Sequence, residues 1–367
     1  MESSGHQLVE LPAQDRLGRG VRHLHSLLSS KNRSPVATRQ AAREASALTN
    51  LLLGPAQAEL TPGRPVAIVA DGELSRLPFT FLTRPGSEGP TAARLVDHHA
   101  LTVTPSVSIV RALRSRQPER QLRQTQRLHV FADAVYSAAD PRLSTSGVFD
   151  TSSNNGLERL EASGHQAKKL MERWGATSRV GFEATKSAVL KGALADTRYL
   201  HFGTHASVDL GAPELSAIEL SRFGPEGSPL DGKLRLRDLD RIALAADLVT
   251  LAGCRTALGP LVPGEGLLAL PRGFLHAGAA SVVASLWEVS DQAAAALTDE
   301  LYTQLIEHGR TPREALRRAQ LKLSRDDRWK DPYFWAGYVL IGDWDLESDP
   351  TSPRAPPPST SPPLPAR

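Results

Sequence analysis

Two short stretches of this chain each close on a residue able to move a proton or attack a carbonyl. RYLHFGTH (198–205) ends in His205, and DLVTLAGC (247–254) ends in Cys254, the one cysteine among 367 residues. Leu248, Val249, Thr250 and Leu251 are too few and too β-branched for a helix, so a strand buried on both faces is expected there. If the two strands are parallel neighbours, their ends lie about 5 Å apart. An imidazole in that position takes the proton of a thiol, and the resulting thiolate is a strong nucleophile near neutral pH. Backbone N–H groups where strand passes into loop, here those of Ala206 and Cys254, are candidates to hold an oxyanion. Gly203 and Gly253 allow sharp turns beside such a site. Taken alone, Cys254 suits a small core residue better, since free cysteine is commonly buried, and His205 alone suits a satisfied polar group. His201 and His205, four apart in a strand, stand about 13 Å from each other and cannot share a zinc ion.

Strands that end in such residues need a sheet to hold them. Helical spacing is expected at 15–30 and 36–53, the second helix stopped by Gly54-Pro55. Residues 65–71 read as a buried strand, and 100–106 and 127–133 as two more, with a helix after the second and a polar loop at 138–156. A βα rhythm follows: helix 157–174 stopped by Gly175, strand 178–183, a short helix capped by Thr185, and strand 198–205. Residues 206–232 are long and broken by Gly and Pro, with strand-like AIELS at 217–221, and loops of that length are often functional. A short helix precedes the Cys254 strand. Helix 264–278, strand 280–287, helices 290–308 and 311–325, and strand 335–342 complete the order. The alternation implies an α/β fold with a mostly parallel sheet covered by helices on both faces. Such sheets bind ligands beyond the carboxyl ends of their strands.

Composition narrows the classes. Apolar residues make up 40% and charged residues 23% of the chain, ordinary globular usage. No apolar run approaches a membrane span, no signal-peptide pattern opens the chain, and a lone cysteine fits a reducing cytoplasm. The net charge is +3. Its densest basic segment, with Arg111, Arg114, Arg116, Arg120, Arg123 and Arg127, lacks the aromatic interleaving of a nucleic-acid platform. There is no GxSxG elbow, no phosphate-binding GxxxxGK[ST] and no GxGxxG after a strand. Residues 348–367 form a Pro/Ser-rich tail expected to be disordered, with a PxxP spacing from Pro353 to Pro356.

The blocks RYLHFGTHASVD, LVTLAGCRTALG, GEGLLALPRGFLHAGAASVVASLWEVSD and DPYFWAGYVLIGDW resemble the successive blocks of a CHAT domain. That is a caspase-like, separase-related cysteine peptidase family, often joined to tetratricopeptide repeats. VAIVADGELSRLPFTFL, ALTVTPSVSIVRAL and VFADAVYS are similar to its N-terminal blocks, so the resemblance covers roughly residues 50–345. It implies a caspase-like three-layer α/β/α sandwich and a cysteine endopeptidase with Cys254 as nucleophile and His205 as general base. It also implies an oxyanion hole from the N–H groups of Ala206 and Cys254, a protein or peptide substrate, a regulatory protein partner, and no metal or cofactor. Asp291 matches the place where separases hold an acid that reads a basic side chain before the scissile bond, although Ser290-Asp291 also suits a helix N-terminus. Trp287 and Asp209 are further substrate-contact candidates, with core packing the simpler role for Trp287. Residues 1–55 are then an N-terminal helical segment and 56–347 the peptidase-like domain, divided near 156 into an N-terminal subdomain and a His/Cys-bearing part. Where the family usually has His-Gly, this chain has His205-Ala206. The rival reading is a CHAT scaffold of weak or no activity that serves as an interaction module.

Overall fold

The computed structural model describes residues 8–11, 14–31, 34–87, 89, 92–119, 126–143, 157–192, 194–209, 211–253, 256–257 and 269–344. Cys254 and the tail at 348–367 lie outside them. Among the described residues eleven strands are formed: β1 Val66–Val69, β2 Leu101–Thr104, β3 Gln126–Ala132, β4 Thr177–Val180, β5 Thr197–Gly203, β6 Ala206–Ser207, β7 Ala217–Glu219, β8 Lys233–Arg235, β9 Leu248–Leu251, β10 Ser281–Ser285 and β11 Tyr338–Gly342. Eight make one sheet in the order β1-β2-β11-β10-β9-β5-β3-β4, and β6-β7-β8 make a small antiparallel sheet. Every neighbouring pair in the large sheet is parallel except β10 with β11.

The principal helices are α1 Gln14–Leu28, α2 Pro35–Leu52, α3 Val107–Ser115, α4 Glu161–Trp174, α5 Ala269–His276, α6 Asp291–Tyr302 and α7 Pro312–Arg325. Local chemistry sets their ends. Ser106 and Thr311 cap α3 and α7 through their hydroxyls, and Gly175, at φ 66°, ends α4 in the left-handed region. Two consecutive residues of β5 divide the helices between layers. His201 meets Tyr302 of α6 edge-on at 5.6 Å, while Phe202 meets Phe274 of α5 at 5.6 Å. Successive strand residues point to opposite faces, so α6 and α5 lie on opposite sides of the sheet. Gln166 of α4 donates to Thr298 of α6 and Lys322 of α7 pairs with Glu300, which puts α4, α6 and α7 in one layer. The result is the expected three-layer α/β/α sandwich.

β9 and β10 are buried along their whole length. Removing each such Val or Leu side chain from water contributes about 1.5–3 kcal/mol, and these central strands anchor the sheet. Three expected elements differ. β1 is an edge strand with Val69 54% exposed, because the sheet covers it on one side only. β4 stops at Val180, where Gly181 turns at φ 61°. The helix expected at 157–174 begins at Glu161; residues 157–160 form a non-helical arm with tertiary partners of its own. α1 joins the main core through Val21, Leu24 and Leu28. No helix among the described residues is long and apolar enough to cross a membrane.

Candidate active site

β5 and β9 are parallel neighbours, with Phe202 opposite Leu251. Beyond that pair the Ala252 N–H donates to the Phe202 carbonyl at 3.0 Å. Gly253 then comes so close to the chain around His205 that a Cβ there would stand 2.6 Å from the Thr204 oxygen and 3.2 Å from the Ala206 nitrogen. Only glycine fits this approach. The Gly253 carbonyl accepts the Ser285 hydroxyl at 2.8 Å, the Ser285 N–H donates to the Thr256 hydroxyl at 2.9 Å, and the Ala257 N–H donates to the Ser285 carbonyl at 2.8 Å. The residues flanking 254–255 are therefore pinned to the carboxyl end of β10.

His205 is half-buried, two residues past the end of β5. Its Nε2 lies 2.7 Å from the Glu158 carbonyl oxygen, on the arm that leads into α4. A carbonyl only accepts, so Nε2 carries the hydrogen and Nδ1 is the basic nitrogen of the neutral ring. The Tyr136 ring meets the imidazole edge-on at 4.9 Å, and its hydroxyl accepts the His205 N–H at 3.3 Å. Burial holds the Tyr136 phenol in its neutral form.

Ala206 opens β6. The Glu219 N–H donates to the His205 carbonyl, so in the antiparallel ladder Ala206 falls at a non-hydrogen-bonded position opposite Ile218. Its N–H points away from β7. Ala206 does not have a positive φ; among the described residues Asp133, at 46°, is the one non-glycine that does. Alanine in place of glycine after His205 therefore brings no backbone strain.

A cleft of about 60 Å³ opens here, lined among others by Ser163, Thr204, His205, Gly253, Val289 and Asp291. Asp291 is the first residue of α6, yet its carboxylate serves another helix: Oδ2 accepts the Ala162 N–H of α4 at 2.8 Å. Burial pushes its carboxyl above the ordinary range, against the opposing pull of the Ala162 and Ser163 amides. Trp287 does not line the cleft. It is 2% exposed, donates its indole N–H to the Tyr333 carbonyl at 2.9 Å and meets His25 of α1 edge-on at 5.6 Å, so it supports the wall from the core. Asp209 does not line it either. Its carboxylate caps its own turn, accepting from Gly211 and Ala212.

Sequence spacing brings His205, Ala206 and Gly253 to one sheet edge but misses the Glu158 carbonyl, Tyr136, and the Thr256–Ser285 pins. Among the described residues no cluster of three His, Cys, Asp or Glu is arranged to hold a metal ion.

Residues 42–343 match the CHAT domain family. Human and mouse Tetratricopeptide repeat protein 28 are each 27% identical over an alignment covering 81% of this chain, which spans only 13% of theirs. Among solved structures, Saccharomyces cerevisiae separase in its complex with securin matches at 13% identity and TM-score 0.47, over 76% of this chain and 15% of that one. The Arg-specific cysteine proteinase gingipain R matches at 10% identity and TM-score 0.48, over 92% and 76%. With well over half of its length inside the matched region, the chain belongs to the CHAT domain family.

Proposed function

We propose that this chain is a cysteine endopeptidase of the caspase-like type, with 56–347 as its peptidase unit, acting on a protein substrate through a Cys254–His205 dyad. One observation carries the reading. Gly253, the residue before Cys254, is wedged against the backbone on both sides of His205. Cys254 also follows Leu251 by as many residues as His205 follows Phe202, its register partner. Family membership supports the same pairing.

In the proposed reaction the Cys254 thiol gives its proton to Nδ1 of His205, and the sulfur attacks the peptide carbonyl carbon. The Ala206 and Cys254 N–H groups hold the oxyanion. The imidazolium returns its proton to the leaving amine as the C–N bond breaks and a thioester remains. Water, deprotonated by His205, then releases the acid and restores the thiol. Asp291 forms one wall of the cleft that receives the substrate. Neither metal nor nucleic acid takes part, and the reducing cytoplasm suits the thiol. A peptide-library cleavage assay tests this: the wild type cleaves and Cys254→Ala, folded to the same melting temperature, does not. Equal cleavage by both sinks the proposal.

A second reading, a CHAT scaffold that binds a protein partner without cutting it, draws on the cleft's size. Between its described walls the cleft has about 60 Å³, room for a few waters and not for an extended peptide. A partner that opens the cleft would reconcile this size with catalysis, and cleavage that appears only with such a partner separates the two readings.

A further inference from the structure

A carbonyl that orients a histidine is only as well placed as the chain that carries it. The Glu158 carbonyl sits on the 157–160 arm, outside the helix that follows, so α4 does not fix it. The next residue does. Arg159 donates from Nε to Asp133 Oδ1 at 3.0 Å and from Nη2 to Oδ2 at 2.9 Å, a two-point fork on one carboxylate.

Asp133 is a costly place to put an acid. It is 4% exposed and sits at φ 46°, in the left-handed region that favours glycine. Arg142 Nη1 reaches its Oδ2 at 3.0 Å and its carbonyl at 2.9 Å, and its N–H donates to the Ser163 hydroxyl at 3.1 Å. Gly164 leaves room for it, since a Cβ there would lie 2.8 Å from Oδ2. The grip also belongs to the right part of the sheet. Asp133 follows Ala132, which pairs with Gly203 of β5, so it lies at the strand end adjoining the one that leads to His205. Just beyond the arm, in the first turn of α4, Asp291 holds the Ala162 N–H.

We infer that Arg159, gripped by Asp133, is a positioning residue for the dyad. It fixes the arm so that the Glu158 carbonyl keeps His205 in the Nε2–H tautomer, with Nδ1 free to act as base. The inference rests on the proposed function for its consequence in catalysis, but not for its geometry. The charged and titratable groups around the pair are Asp133, Asp140 and Glu161 toward Arg159, with Arg142 sharing the Asp133 carboxylate, and Tyr136 and Asp291 toward His205.

Arg159→Lys keeps the charge and loses the fork; Arg159→Ala loses both. Thermal melting establishes that each is folded, and the lysine variant serves if the alanine variant is not. Nitrogen-15 NMR on histidine-labelled full chain then reads the His205 tautomer. The wild type should show neutral His205 protonated on Nε2, and the variants a mixture of tautomers. Alkylation of the single cysteine by iodoacetamide should slow several-fold near neutral pH, with its pH inflection moving up toward that of an ordinary thiol, which a merely structural loss would not produce. An unchanged tautomer in the folded variants overturns the inference. A wild-type thiol with ordinary reactivity counts against the peptidase reading alone, because the tautomer shift would still establish the positioning.

Discussion

His201 and His205 lie four residues apart, with Gly203 between them, yet their surroundings have nothing in common. His201 is sealed at 0% exposure, edge-on to Tyr302, with neither ring nitrogen bonded within the described residues. Burial pushes its pKa down to about 3, so it stays neutral. His205, past the strand end, is half-buried and has a carbonyl on Nε2, a tyrosine at its edge and a cleft beside it. The lesson is positional. In a parallel sheet one imidazole serves as packing, while another a few residues on has room and polar partners enough to move protons.

The widest separation should come from mutating both. His205→Ala should lower Cys254-dependent cleavage by about 10²–10⁴-fold and leave the melting temperature nearly unchanged. His201→Ala should do the reverse, lowering stability through the cavity it leaves. Equal kinetic losses in two well-folded variants would break the contrast. Next in size is Gly253→Ala, whose methyl would press on the Thr204 carbonyl. It should cost about 1–3 kcal/mol in chemical denaturation, and a neutral result would mean that the β5–β9 approach is looser than described.

The acid limb of stability sharpens the comparison further. The folded pKa of His201 lies below the ordinary 6.5, so between about pH 3 and 6.5 the unfolded chain binds the extra proton. The stability this gives is complete above pH 6.5 and drains as pH falls. From 6.5 to 5 the loss is about 2 kcal/mol. His201→Phe should flatten that limb in melts taken across this range, whereas an identical slope would show that His201 is not the group responsible. Smallest of all, Glu158→Ala should change stability by under about 0.5 kcal/mol and leave Cys254 alkylation as it was. His205 uses the backbone of Glu158, and a large effect would show that the carboxylate takes part.

Much of this was legible in the sequence because strand ends have a signature. The buried runs before His205 and Cys254 announce central strands, and glycines mark where chains approach. Backbone groups carry no such mark, so the Glu158 carbonyl was hidden inside what reads as the first turn of a helix; Leu157 and Leu160 fit that period well. Asp133 and Arg159 meet across a long sequence separation, and the β3–β5 pairing is what brings Asp133 to the edge that leads to His205. Asp209 shows the opposite case: an acid in a promising block can be occupied by the amides of its own turn. Trp287 was ambiguous because a large aromatic beside a site looks the same whether it faces the cleft or the core.

The central claim is that Cys254 is an activated thiol, and its lone occurrence makes that directly measurable. The rate of iodoacetamide alkylation should be followed against pH in the folded chain and again in urea. The account predicts a folded thiol that reacts faster near neutral pH, with an inflection well below the roughly 8.5 of a free cysteine. Slower alkylation in the folded chain than in urea at every pH would contradict it and return Cys254 to the core.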